Sequence, residues 1–218
     1  MKGSSVAIAA AAMPNGSPRI FLLSPAHVGG LRAQLLLNPR APFALAREFH
    51  ATGLSLATVF TFTSGLYFRG KIAYATHFTR SERGDVTRII TSNAGLLDPD
   101  TRVGPADIAA FGATDIEAGD PNYRRPLRRH AVALAKRIGS SGTVVLLGSI
   151  ATPKYRDVFL EVFGEQLFFP TDFVGRGDMS RGALLLRAVR ANRELPYARV
   201  RDAVLTGRRA ARAQHTQL

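Results

Sequence analysis

At 218 residues, 46% of them hydrophobic, the chain can bury one core and is too apolar to be disordered, so a single folded domain is expected. The absence of cysteine excludes disulfides, thiolate metal sites and a cysteine nucleophile and suits a reducing, cytoplasmic setting; no apolar run approaches the roughly twenty residues of a membrane helix, so no membrane partner is expected. A net charge of +13, from 29 basic against 16 acidic residues, points to a polyanionic partner, nucleic acid above all.

In chain order, residues 1–18 read as a flexible tail. They hold an alanine-rich run, Ala7 to Ala12, too short and too weakly apolar for a signal peptide, and Met13 is an alternative start. Arg19 to Leu23 is a short strand apolar on both faces, stopped by Ser24-Pro25. Helices are expected over 31–37 and 42–49. Leu54 to Phe62, rich in Thr, Val and Phe, reads as a strand or a lining loop, and a helix is expected over Ile72 to Phe78. Val86 to Thr91 is a second strand, ending at Ser92-Asn93. Residues 92–122 read as loop, with one helical turn over Ile108 to Phe111. Asp120 then caps a helix with Pro121 at its first position. Its apolar face is Tyr123, Leu127, Ala131, Leu134 and Ile138, its wet face Arg124, Arg125, Arg128 and Arg129, and Gly139 ends it. Thr143 to Leu147 is a third buried strand. Thr152-Pro153 opens the next helix, which Gly164 closes. Gln166 to Phe169 is a fourth strand, leading through Gly175-Arg176-Gly177 into a leucine-rich helical run from Ala183 to Ala191. The domain is drawn over 19–196, and 197–218 as a loose basic tail.

Strands alternating with helices predict an α/β (mixed α+β) domain with a central, mostly buried sheet flanked by helices. Three of the strands end in a serine: Ser24, Ser92 and Ser149. If these strands are parallel, the three hydroxyls share one edge with Arg176 and with the helix starts near 152 and 178, which makes a polar pocket for phosphate, sugar or base. Serine also caps helices after strands, and that reading stays open. The stretch from Phe173 to Gly182 suits the same role. Gly175 and Gly177 allow positive φ around Arg176, Asp178 or Ser180 can cap the following helix, and Arg176 and Arg181 add charge. The Arg-Gly-Asp triplet inside it is read as chance.

The basic residues cluster. From Arg176 to the end there are ten arginines against Asp178, Glu194 and Asp202, and residues 120–137 hold six basic residues against Asp120. Lysine supplies only four of the 29 basic residues, so an arginine-rich composition competes with the polyanion reading. Tyr67, Phe68 and Tyr74 beside Arg69 and Lys71 interleave rings with charges, as base-stacking surfaces do, although packing accounts for Phe68 equally. The catalytic candidates are Lys71, a nucleophilic amine if desolvated, together with Asp98, an acid or base beside Asp100, and Ser149. Each has a plainer reading, as a phosphate contact or solvated amine, a turn, and a cap. Ser24 with His27 reads as structural, as does His130. The five histidines show no short metal spacing, so no metal and no cofactor are expected.

The order Leu23-Ser24-Pro25-Ala26, Tyr67…Gly70, Ser92…Gly95-Leu96-Leu97-Asp98-Pro99, Ser149…Tyr155 and Arg176-Gly177-Asp178-Met179-Ser180-Arg181 resembles the YaaA family of peroxide stress proteins. The match is collinear over roughly residues 20 to 190, and its closing motif is the specific part. The resemblance implies a mixed α/β fold with a basic cleft, DNA binding and protection from oxidative damage in a cytoplasmic protein. His27 stands where the family has lysine, which leaves Lys71 or Lys154 to supply an amine. Segment 28–60 is shorter than the family's and lacks its helix–hairpin–helix glycine pattern. Two readings follow. One is a nucleic-acid-binding protein, DNA before RNA, whose cleft holds phosphates and an extruded base. The other is an enzyme on a small phosphorylated or nucleobase-like metabolite in the same cleft. Both use Ser24, His27, Tyr67, Arg69, Lys71, Ser92, Ser149, Lys154, Tyr155, Arg176, Gly177, Asp178, Ser180 and Arg181.

Overall fold

The computed structural model describes residues 10, 11, 13 and 16–203. Its centre is strand β1 (Arg19–Leu23), five residues with every side chain buried. Beside it lie β3 (Val86–Ile90) and β6 (Thr143–Leu147), both parallel to it, and β7 (Leu167–Pro170) is parallel to β6. Two antiparallel strands close the edges, β4 (Leu96–Leu97) against β3 and β8 (Tyr197–Arg199) against β7. The order is therefore β4-β3-β1-β6-β7-β8. The chain builds outward from β1 in one direction to β3 and then in the other to β6 and β7. The point of reversal lies between β1 and β6, which is where a doubly wound sheet opens a crevice at its carboxyl edge.

The strands are apolar throughout because both faces are covered. Alternation along each strand sends its side chains into two separate cores. Phe21, Leu23, Val145 and Leu147 face α1 (Leu31–Leu37), α2 (Ala44–Thr52), α3 (Leu56–Ser64), α4 (Leu66–Phe78), α5 (Pro105–Gly112) and α8 (Asp178–Arg190). Ile20, Leu22, Val144 and Leu146 face α6 (Pro121–Ile138) and α7 (Pro153–Phe163). The protein is an α/β domain of three layers. Among the described residues no helix is long and apolar enough to cross a membrane.

Helix α6 forms as its sequence predicts. The Asp120 carboxylate accepts the Asn122 N–H at 2.8 Å, Pro121 occupies the first position, and Tyr123, Leu127, Ala131, Leu134 and Ile138 are the buried stripe. Several expectations are corrected. Leu54 to Phe62 is strand only at its first two residues, where β2 (Leu54–Ser55) pairs with β5 (Arg102–Val103), and the rest is helix, because Ser55 caps α3 by accepting the Thr58 N–H. Leu56, Val59 and Phe60 are buried at helical spacing, so packing overrides the β preference of Thr, Val and Phe. Helix α4 starts at Leu66, six residues before the expected start, because Gly65 at φ +64° breaks α3 cleanly. Segment 92–122 is not all loop but contains β4, β5 and the eight-residue α5. The domain does not stop at residue 196, since β8 completes the sheet and Val200 and Ala203 are buried. Nor is all of 1–18 loose: the Ala11 N–H donates to the Tyr197 carbonyl at 2.8 Å, and Met13 packs on the core. Residues 204–218, the rest of the expected basic tail, lie outside the described residues.

Candidate functional site at the carboxyl edge of the sheet

The parallel ladder brings the carboxyl ends of β1, β3, β6 and β7 to one edge, so Ser24, Ser92 and Ser149 do share it. They do not do the same thing there. Ser92 is buried and donates to the Phe111 carbonyl at 2.8 Å, which fixes α5 against the edge. Ser149 accepts the Ala151 N–H at 3.3 Å, a short turn into α7. Ser24 is the one at the point of reversal, and its partner is Lys71.

Lys71 sits in the apolar stripe of α4, one turn beyond Tyr67 and Phe68 and one turn before Tyr74 and Ala75. Only 1% of it is exposed. Its Nζ donates to the Ser24 carbonyl at 2.5 Å and lies 2.9 Å from Ser24 Oγ, over the rings of Tyr67 and Phe68 at 4.4 and 4.8 Å. Among the described residues no carboxylate is hydrogen-bonded to it. Burial pulls its pKa from 10.5 down to about 7; Asp178 opposes that and Arg181 assists. The amine is therefore inside the protein, where it cannot serve as an exposed phosphate contact.

What holds Lys71 there is the crossing of α4 and α8. A Cβ on Gly70 would fall 2.7 Å from the Gly182 carbonyl oxygen, and one on Gly182 2.8 Å from the Tyr67 Cα. Two glycines thus let the helix backbones touch, which sets Tyr67 and Lys71 against the start of α8.

Tyr155, from the first turn of α7, completes the group. Its hydroxyl accepts the Ser149 N–H at 3.1 Å and lies against Ser24 across Gly148. A side chain at Gly148 would collide with both, at 2.9 Å from Ser24 Cβ and 2.9 Å from the Tyr155 hydroxyl. Burial raises the Tyr155 pKa, against the lowering effects of the Ser149 N–H, Ser24 and Arg181. Tyr67 is also buried, and among the described residues its hydroxyl has no hydrogen-bond partner. Burial raises its pKa against the neighbouring Arg181 charge, but that guanidinium gives its Nε and Nη2 hydrogens to the Phe173 carbonyl, both at 3.1 Å.

The two arginines expected to clamp an anion therefore divide. Arg181 ties the loop after β7 to α8, and its side chain is only 14% exposed. Arg176 is exposed and donates to Ser180 Oγ at 3.2 Å. Of the two glycines around it, Gly175 has φ +70° while Gly177 is extended. Gly177, not Asp178 or Ser180, is the N-cap, without a side-chain bond to the first amides. Thr152 likewise leaves the first amides of α7 without a side-chain cap.

The remaining candidates lie further out. His27 and Lys154 are exposed and line a pocket of about 220 Å³ with Ser92, Asp115, Phe60 and Phe111. His27 is not hydrogen-bonded to Ser24. Arg69 is exposed on the outer side of α4. Asp98 pairs with Arg88 in the body of β3 at 2.9 Å and accepts the Asp100 N–H, so it braces a turn away from the edge. His130 Nδ1 lies 3.1 Å from both the N–H and the carbonyl oxygen of Leu96, a structural contact.

The basic residues of 120–137 stay together on α6, where Arg125, Arg128 and Arg129 line one open hollow with Val132, but several arginines of both clusters are paired with carboxylates. Arg124 and Arg128 both pair with Glu161 of α7, and Arg199 and Arg201 with Glu165. Arg187, Arg190 and Arg193 are exposed toward the far end of α8, near Glu194, which pairs with Arg19 at the opposite end of β1. No protein-family model matches the chain, and neither curated proteins nor solved structures give a match.

Proposed function

We propose that this chain binds a small phosphorylated or nucleobase-like molecule at the carboxyl edge of its sheet and acts on it there. The observation that carries the reading is Lys71, an amine near neutrality at physiological pH, buried against Ser24 at the point where the strand order reverses. A buried amine without a paired carboxylate is costly, and perturbed groups of this kind gather at working sites. Around it the uncapped starts of α7 and α8, the exposed Lys154 and Arg176, and the pocket beside Ala26 and His27 suit an anionic or polar ring-bearing ligand. The test is calorimetry of the full chain with inorganic phosphate, nucleoside monophosphates and free nucleobases at low and high salt. Binding that survives salt and is lost in Lys154→Ala with Arg176→Ala is expected; no heat from any of them refutes the reading.

A second reading keeps the nucleic acid. It rests on Lys154 and Arg176, two exposed cations near the starts of α7 and α8, which cover opposite faces of the sheet, and on the YaaA resemblance, whose Ser24, Tyr67, Ser149, Tyr155 and Arg176–Arg181 segments belong to the loops and helices of that edge. Labelled single- and double-stranded DNA distinguishes the two, because phosphate-backbone binding weakens steeply with salt across unrelated sequences. DNA affinity lost in the same double variant favours this reading.

A further inference from the structure

We propose that Ser24 and Lys71 form a nucleophile–base pair that takes an acyl group from a small ester or amide, with Tyr155 as the hydroxyl that positions Ser24. The inference rests on this edge being a ligand site, and not on the phosphate or nucleobase character of the ligand.

Three observations converge. The first is geometric: Lys71 Nζ is 2.9 Å from Ser24 Oγ and 2.5 Å from the carbonyl oxygen of the same residue. The carbonyl takes one N–H and fixes the direction of the amine, which leaves the lone pair of neutral lysine for the Ser24 hydroxyl proton. The second is the protonation state. Burial holds the Lys71 pKa at about 7, with Asp178 and Arg181 of α8 the facing charges and Tyr67 the facing phenol, so a large share of the amine can accept a proton at neutral pH. The third is what a structural role would require. A methionine or leucine fills an apolar stripe at lower cost than an amine stripped of water and given no carboxylate.

The surroundings fit the chemistry. Tyr155 accepts the Ser149 N–H, and as a phenol it keeps its own hydrogen to steady Ser24 Oγ. Gly148 has no side chain, which lets Ser24 and the Tyr155 hydroxyl close on each other: a Cβ there would fall 2.9 Å from both. Pro25 and Lys154, the chain neighbours of Ser24 and Tyr155, are in the wall of the 220 Å³ pocket, and the buried Ser24, Lys71 and Tyr155 stand behind that wall; the pocket has room for a small substrate with a polar or anionic end at Lys154.

In the reaction, Ser24 Oγ passes its proton to Lys71 Nζ as it bonds to the substrate carbonyl carbon, and the carbonyl π pair moves onto oxygen. When that pair returns, the bond to the leaving alcohol or amine breaks, and the leaving group takes the proton from the Lys71 ammonium. Water then attacks the Ser24 ester and gives a proton to Lys71, which returns it to Ser24 Oγ as the acid departs. Ser24 is the nucleophile, Lys71 the base, and Tyr155 a positioning residue.

The test treats the full chain with a small alkyl fluorophosphonate. Oγ–P forms, P–F breaks, fluoride leaves and the proton goes to Lys71. The adduct is located by intact mass and peptide mapping. One adduct on Ser24 is expected, with a labelling rate that rises about tenfold per pH unit below 7 and levels off above it. Ser24→Ala removes the adduct, and Lys71→Met slows it about 100-fold or more while circular dichroism shows a folded protein. Tyr155→Phe slows it less and leaves the pH midpoint in place. An adduct elsewhere, none on Ser24 between pH 6 and 9, or equal rates in Lys71→Met and the native chain overturns the pair. Should Lys71→Met fail to fold, the native pH profile decides, and a rate flat between pH 6 and 8 overturns the pair. Labelling without any binding of phosphate, nucleotides or nucleobases overturns the proposed function and leaves the pair standing; binding without labelling does the reverse.

Discussion

Replacing Lys71 with methionine tests how the buried amine is protonated, through stability alone. Methionine keeps the unbranched shape but cannot titrate. In the native protein the Lys71 pKa is lowered from 10.5 to about 7, so the sign is fixed. Below pH 7 folded and unfolded chains both hold the proton, and the fold carries a charge that burial disfavours. Between 7 and 10.5 the unfolded chain keeps a proton that the native state has shed, and stability rises with pH. One pKa unit is worth about 1.4 kcal/mol, and the onset of titration near 7 trims the gain over pH 7 to 9 to about 2 kcal/mol. Tyr67 and Tyr155 stay phenolic across this window because burial raises both. The bonds to Ser24 that methionine forfeits enter as a nearly constant offset. For a domain of this size, urea melts of the native chain and Lys71→Met should therefore diverge by about 2 kcal/mol over those two pH units. In thermal melts that is roughly 4–8 °C. Parallel stability curves would refute a titrating amine at this position, and with it the base assigned to Ser24.

Other outcomes follow from the packing. Gly182→Ala puts a methyl 2.7–2.9 Å from the Leu66 carbonyl and Tyr67 Cα. These are backbone atoms that cannot swing aside, so the gain in helix propensity of up to about 1 kcal/mol is outweighed by overpacking of about 1–3 kcal/mol; a melting temperature at or above the native value would show that α4 and α8 do not touch as described. Glu161→Gln removes the shared partner of Arg124 and Arg128, but all three side chains are more than a third exposed, so the loss should stay under about 1 kcal/mol and vanish in 0.5 M salt. Ending the chain after Pro196 removes β8, the Tyr197 hydroxyl that meets Tyr74, and the buried Val200 and Ala203. Losses of about 2–5 kcal/mol per large buried side chain rival the whole stability of a domain, and circular dichroism should report an unfolded or molten chain.

The fold was legible where local chemistry and burial agree. Asp120-Pro121 at one end and Gly139 at the other bracket an amphipathic stripe, and α6 forms between them. The strands Arg19 to Leu23 and Thr143 to Leu147 are continuous apolar runs because both faces are covered. The sequence misleads where tertiary packing outweighs propensity. Thr58, Val59 and Thr61 make the Leu54–Phe62 region look extended, yet Leu56, Val59 and Phe60 point into one core. Tyr197 to Arg199 looks like the start of a charged tail, because a three-residue edge strand has too few residues to show a period; only its pairing with β7 reveals it.

The carboxyl edge was legible for a topological reason. Strands that alternate with helices gather their carboxyl ends when they are parallel, as β1, β3 and β6 are, and Ser24 and Ser149 then fall there. The central pair was not, although both residues stood among the candidates. Ser24 and Lys71 are 47 residues apart, and Ser24 has a histidine three positions away that draws attention first. The signal that reveals Lys71 is helical register. With α4 begun at Leu66, Tyr67, Phe68, Lys71, Tyr74, Ala75 and Phe78 form one continuous inner stripe, and a lysine in the middle of it has to be buried. With the helix begun at Ile72, the same lysine falls outside it and looks solvated. Gly70 carries the second half of the signal: in a helix interior it is unfavourable, and it is kept here because α8 crosses at that point through Gly182. Lys71, on the apolar side of α4 and beside a glycine that lets another backbone in, is therefore walled away from water, and the group it reaches is Ser24.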